Sequence, residues 1–229
     1  MGVIMFDRIT YKQNARKQLK GRWGLPILLF VLSCLLTSMI AMPGRELGET
    51  EFLTETENIA YCVLSLVSLC VNGIFTLATS YVYIRMMHTT EKLRFNAFLT
   101  GLERWLSGAL GMLWYTLWVF LWSLLFVIPG IIKAIAYSQM FFILAEHPKI
   151  GVRRAMQISK VITQGHKADL FVMGLSFFGW LLLCFVTCGI GFLWLIPYAE
   201  MSYANAYTAL KNMAFMTNKI TPADFAPAN

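Results

Sequence analysis

Two ionisable residues fall inside long apolar stretches of this 229-residue sequence: Lys133 in IPGIIKAIAYS and Glu200 in GFLWLIPYAEMSYANAY. A charge at the centre of a helix in hydrocarbon costs about 2.5 kcal/mol or more. Such residues are retained where they pair, bind a ligand or pass protons. Lys133 follows Pro129 by four residues, which leaves it ~6 Å below the outer surface and within reach of it by snorkelling. Glu200 stands three residues past Pro197 and nine past Gly191, near mid-membrane if its helix begins at the glycine. The readings left open are a structural Lys133–Glu200 pair facing a helix bundle, a snorkelling Lys133, and a substrate or proton relay through Glu200. Asn72 and Asn205 are the remaining polar candidates, the first as a helix break or cap and the second as a hydrogen-bonding partner for a neighbouring helix. Asp169 reads as interfacial. Tyr81, Tyr137 and Tyr207 join the set because each closes a small-x-small-Tyr pattern: Ala78-Thr-Ser80-Tyr81, Ala134-Ile-Ala136-Tyr137 and Ala204-Asn-Ala206-Tyr207.

Other chemistry is missing from the sequence. There is no GxSxG elbow, no P-loop and no GxGxxG after a strand, and Gly189-Ile190-Gly191 is too short to count. Cys34, Cys62, Cys70, Cys184 and Cys188 sit in or beside apolar segments and read as small apolar residues, with Cys184 and Cys188 one helical turn apart rather than placed for a bridge. His88, His147 and His166 belong to no HExxH or CxxC array. Neither a metal, a cofactor nor an enzymatic activity is therefore expected. The net charge of +7 comes without a basic patch interleaved with aromatics, which argues against nucleic acid as a partner. Trp114, Trp118 and Trp122, spaced by four, read as a stripe packed on lipid or a partner helix.

Elements that could position such residues follow from composition. The chain is 58% hydrophobic and only 14% charged, against about 25% charged in soluble domains, and a chain of this size cannot hide so much apolar surface from water. A membrane span takes about 20 apolar residues. Six segments qualify: Gly24 to Met42, Ile59 to Ile84, Leu106 to Ile128, Gly130 to Ala145, Leu170 to Val186, and a last one ending near Leu210. Ser38 to Pro43 offers no good cleavage site, so the first is read as an uncleaved span. With both termini in the cytoplasm, all but Arg45 and Lys133 of the 19 basic residues fall on the cytoplasmic side, opposite an acidic loop carrying Glu46, Glu49, Glu51, Glu55 and Glu57.

Basic stretches of helical period precede each hydrophobic pair. Phe95, Phe98, Leu99, Leu102, Trp105 and Leu106 share one face; weaker versions place Phe6, Ile9 and Leu19, and Ala155, Ile158 and Ile162, on theirs. The expected fold class is an all-α membrane protein of six transmembrane helices in three hairpins, each preceded by a cytoplasmic interfacial amphipathic helix. One membrane domain, 1–216, then divides into units 1–88, 89–148 and 149–216, with a flexible C-terminal tail over 217–229. Asn72-Gly73, Pro129-Gly130 and Pro197 precede the three tyrosines as break-prone residues, and Arg22-Trp23 and Arg104-Trp105 mark matching entrances, whereas the third unit has His166-Lys167. Small residues let membrane helices approach closely, so the three second helices are expected to meet about a pseudo-threefold centre.

The stretches IPGIIKAIAYSQMFFILAEHP, LSFFGWLLLCFVTCGIGFLWLIPYAEMSYANAY and LKGRWGLPILL resemble the bacterial integral membrane family catalogued as domain of unknown function 975. The resemblance spans most of the chain and departs at Glu200, where the pattern leads one to expect an amide. It implies a bacterial, multi-pass plasma-membrane protein and carries no activity with it. Three function classes remain: a non-enzymatic bundle that binds or moves a lipid or small molecule, an accessory or scaffold subunit with a membrane-protein partner or a second copy of itself, and a membrane-embedded enzyme. The first is favoured on the broken helices and the two charges.

Overall fold

The computed structural model describes residues 6–48 and 55–226, and side chains outside 41–57. The acidic loop carboxylates and Arg45 fall outside the described side chains. Every element among the described residues is helical: α1 Arg8–Leu19, α2 Gly24–Gly48, α3 Glu55–His88, α4 Asn96–Leu102, α5 Trp105–Leu125, α6 Val127–Tyr137, α7 Met140–Glu146, α8 Val152–Ile162, α9 Lys167–Leu175, α10 Phe178–Val186 and α11 Phe192–Met216, followed by a 3₁₀ turn at Pro222–Phe225. Helices satisfy their own backbone groups, which is what an apolar chain requires in lipid.

Among the described residues, four stretches are long and apolar enough to cross a membrane: Asn58–His88, Trp105–Leu125, Val127–Glu146 and Lys167–Val186. A fifth exists if α1 and the Gly24–Ile40 part of α2 count as one segment, bent by 99°. Of the six expected segments, the last is long enough as α11 but is diluted by Glu200, Ser202, Asn205, Thr208 and Lys211.

Local chemistry explains where the helices start and stop. Asp7 caps α1, its carboxylate accepting from the Ile9 N–H at 2.9 Å. Phe126, extended at φ −160° and ψ 147°, separates α5 from α6, and Pro129 is tolerated in the first turn of α6. α11 begins directly after Gly191 and carries Pro197 inside it. The expected break at Asn72-Gly73 is absent: α3 runs through it. Gly73 instead lets two backbones touch, since a Cβ there would stand 2.3 Å from the Gly108 carbonyl oxygen. Gly101 meets Ala78 in the same way, its missing Cβ lying 2.8 Å from the Ala78 Cα.

The three basic helices each dock on a second helix of another hairpin: α1 on α11, α4 on α3, and α8 on α6 and α7. Each docks where a small-x-small-Tyr pattern lies. Ala15 and Leu19 are fully buried beneath α1, Phe98 and Gly101 beneath α4, and Ala155, Ile158 and Ile162 beneath α8. Of the apolar residues expected to share faces, Leu19 and Phe98 are buried, while Ile9, Phe95 and Leu99, with Trp105 and Leu106 at the start of α5, are exposed; α1 also buries Tyr11 and Ala15. Helices α3, α7 and α11 carry much of the buried core, while the exposed large apolar side chains line α2, the N-terminal half of α3, α5, the start of α6, and α9 and α10.

Candidate functional site

Ser159 of α8 and Thr163, which caps its C-terminal end, both donate to the Ala136 carbonyl, at 2.8 and 3.3 Å. Asn205 and Gln18 exchange hydrogen bonds through their amides, Asn205 Nδ2 to Gln18 Oε1 at 2.7 Å and Gln18 Nε2 to Asn205 Oδ1 at 3.3 Å. Asn205 therefore bonds a neighbouring helix, as its type suggested. Asn72 turns back on its own helix, Nδ2 donating to the Ser68 carbonyl at 2.9 Å. Tyr137 is buried beside Ala136, and the Tyr81 hydroxyl accepts from Arg85 Nε at 3.1 Å while the Arg104 guanidinium lies 5.3 Å from its ring.

Tyr207 belongs to a charged cluster that the sequence reading missed. Its hydroxyl donates to Glu146 Oε2 at 2.6 Å, and Lys211 Nζ donates to both Glu146 oxygens at 2.5 and 2.6 Å. The Tyr207 ring stacks on Phe142 with centroids 5.7 Å apart. His147 Nε2 stands 3.7 Å from the same carboxylate. Burial holds the His147 imidazole below its ordinary range, and Lys211 pushes the same way against Glu146. The cluster ties α7 to α11. The only sequence signal for it is the i, i+4 spacing of Tyr207 and Lys211, since Glu146 lies at a helix end in LAEHP, distant in the chain from both.

Lys133 and Glu200 are not brought together. Lys133 Nζ lies 4.1 Å from the centroid of the Trp122 ring, and the charges near enough to act on it are Lys160 and Lys167. Glu200 forms no ion pair or hydrogen bond among the described residues; it is exposed, with Tyr83 and Tyr203 as neighbours. Trp122 and Trp114 each carry a cation, the latter from Arg153 at 4.8 Å, so the tryptophan stripe packs on charged side chains as well as apolar ones. The five thiols are free.

A cavity of about 380 Å³ opens between the α1–α2 elbow and the α10–α11 hairpin. Its walls are mostly apolar: Trp23 from the elbow, Trp180 and Leu183 from α10, Trp194 and Tyr198 from α11. Arg16 stands at its α1 end with its guanidinium 5.4 Å from the centre of the Tyr198 ring. The hairpin closes it at the far end, where Gly191 is required because a Cβ would stand 2.7 Å from the Cys184 sulfur. Trp180, Leu183 and Trp194 are also half-exposed on the apolar outer face, so the cavity opens sideways onto that face. Its volume is in the range of small-molecule sites, about 300–1,000 Å³. Nothing local in the sequence points to it, because its walls join α1 and the elbow to the α10–α11 hairpin, more than 150 residues further along the chain.

An all-helical chain with several helices apolar enough to cross a membrane is the class these features define. The chain belongs to the family described as Protein of unknown function (DUF975), whose model matches residues 5–135 and 110–214. No curated protein and no solved structure matches it.

Proposed function

We propose that this chain is a six-span protein of the bacterial plasma membrane, with both termini cytoplasmic, that binds a lipid or other amphipathic small molecule without catalysing a reaction on it. The observation that carries the reading is the tryptophan-walled cavity with one cation at its end and a lateral opening onto the exposed apolar face. A soluble polar metabolite finds few partners there, whereas a chain of methylenes gains about 0.8 kcal/mol for each one buried.

The scaffold for this is three units, each a basic interfacial helix followed by a hairpin. Its support is the docking of α1 on α11, α4 on α3 and α8 on α7, which closes in a ring. Two matching caps add to it. Arg22 Nη1 donates to the Met86 carbonyl in the last turn of α3 and to the Thr89 and Glu91 carbonyls beyond it, and Arg104 Nη1 donates to the Ala145 carbonyl in the last turn of α7 at 2.9 Å. A cation there also opposes the negative end of the helix dipole. The third unit departs, its His166 Nδ1 pairing with Asp169 at 3.1 Å.

The alternative, an accessory or scaffold subunit of a membrane complex, draws on Leu117, Phe120, Leu121 and Leu124, an exposed stripe of helical period on α5. Native mass spectrometry of the chain released from membranes separates the two. The ligand-binding reading expects a bound lipid or small molecule at one copy per chain, recovered chemically unchanged. A stoichiometric protein partner with no such ligand would favour the scaffold, and a ligand converted to product would favour an enzyme.

A further inference from the structure

The cavity has a polarity of its own. Arg16 makes no side-chain hydrogen bond and no ion pair among the described residues, and no acidic residue lines the cavity. Lys12, one turn earlier, is already committed: its ammonium donates to the Ser176 hydroxyl at 2.5 Å and lies 4.0 Å from the centre of the Phe177 ring. The carboxylates near α1 are engaged elsewhere, Asp7 capping the helix and Asp169 pairing with His166. Lys17 and Lys20 continue the positive charge along α1. From Arg16 the walls run past Trp23, Tyr198, Trp194 and Trp180 to the hairpin turn, with no further charge.

We infer that this cavity holds an anionic phospholipid, its phosphate on Arg16 and an acyl chain between Trp180 and Trp194. The inference rests on the amphipathic-ligand reading above and adds the sign of the head group. An unpaired guanidinium beside other cations attracts a phosphate through charge-assisted hydrogen bonds, in which its planar fork is suited to two oxygens at once. The same cations repel the choline of a zwitterionic lipid, so the anionic head group is the one that fits. A lipid whose phosphate sits at the basic helix and whose chain runs toward the hairpin turn has the orientation of the cytoplasmic leaflet in the proposed topology.

Full-length protein, stripped of lipid in detergent, is incubated with mixed phosphatidylglycerol and phosphatidylcholine micelles and weighed by native mass spectrometry. Phosphatidylglycerol is expected to be retained over phosphatidylcholine by about fivefold, the worth of one cation near a lipid head group. Arg16→Gln removes that preference, while Lys20→Gln, on the exposed side of α1, keeps most of it. Leu183→Trp fills the cavity from its exposed rim and lowers retention of both lipids. Elution as a monodisperse species of unchanged helix content checks that each variant folds.

Equal retention of the two lipids by the unaltered chain, or a preference that survives Arg16→Gln, overturns the anionic assignment and leaves the amphipathic-ligand reading standing. Loss of preference in Arg16→Gln with full retention in Leu183→Trp overturns the cavity as the place of binding. Retention of neither lipid by the unaltered chain overturns the broader reading as well.

Discussion

Replacing Lys211 by Met tests whether the Glu146 cluster locks α7 to α11. The Lys211 and Glu146 side chains are 16% and 23% exposed, and the ammonium contacts both carboxylate oxygens. Breaking a fully buried pair from one side costs about 3–5 kcal/mol, and an exposed pair contributes about 0–1 kcal/mol. This pair lies nearer the buried limit, so the expected loss is about 2–3 kcal/mol. At roughly 2–4 °C per kcal/mol for a chain of this size, the melting temperature falls by about 5–10 °C. Thermal unfolding in detergent, followed by intrinsic fluorescence, reads it out. Glu146→Gln alone is expected to cost a similar amount, because it strands the ammonium. The double variant strands neither charge and recovers about 2 kcal/mol, which is the coupling a double-mutant cycle measures. Tyr207→Phe keeps the ring on Phe142 and loses only the hydroxyl, a smaller effect. A Lys211→Met melting temperature unchanged within about 1 °C, with coupling under about 0.5 kcal/mol, would refute the reasoning.

Gly73→Leu drives a side chain into the Gly108 carbonyl and separates α3 from α5, so the yield of monodisperse protein should collapse; a variant of full yield and unchanged melting temperature would show that the two backbones do not touch. Lys133→Met and Glu200→Gln should be additive in thermal stability, with coupling below about 0.5 kcal/mol, since the two charges do not meet; mutual rescue would restore the pairing that the geometry does not support. Arg154 Nη2 holds the Asp224 carboxylate at 2.6 Å, and the Thr221 N–H and hydroxyl bond it as well. Those bonds keep the Asp224 carboxyl below its ordinary range, the Thr221 N–H contributing most. The depressed value means that its stabilisation is complete above the unfolded value and disappears as pH falls through the folded one, so the 3₁₀ turn at Pro222–Phe225 should loosen only below about pH 4. A spin label at Ala223→Cys reports this as mobility; release already at pH 6 would count against it.

The sequence made the class legible because it is written in composition. An apolar, sparsely charged chain with cations confined to particular loops leaves few alternatives to membrane helices. The small-x-small-Tyr patterns were also legible, since close helix approach demands small residues at regular spacing, and Ala78, Ala136 and Ala204 are all nearly inaccessible at such contacts. Their partners were not: the expected meeting was among second helices, whereas each pattern also receives a basic helix from another hairpin. Glu146 and Lys211 are 65 residues apart and neither lies in a recognisable motif, so only the fold could bring them together. The same holds for the cavity. Arg16 read as one of several topology-setting cations, Trp23 as part of an entrance motif, and Trp180 and Trp194 carried no signal, because nothing local in a sequence says which helices will be neighbours. For Lys133, distance along the helix places the Cα, while the long lysine stem and the Trp122 ring beside it set the position of the charge.

The binding of lipid between the α1–α2 elbow and the α10–α11 hairpin is tested most directly by photo-crosslinking. Full-length protein in bilayers is irradiated in the presence of phosphatidylglycerol carrying a diazirine in its acyl chain, and the adducts are mapped by mass spectrometry. The account predicts adducts concentrated on Trp180, Leu183, Trp194 and Tyr198, and depleted there by Leu183→Trp. Adducts spread evenly along the exposed faces of α5 and α6, with no enrichment at the cavity, would contradict it.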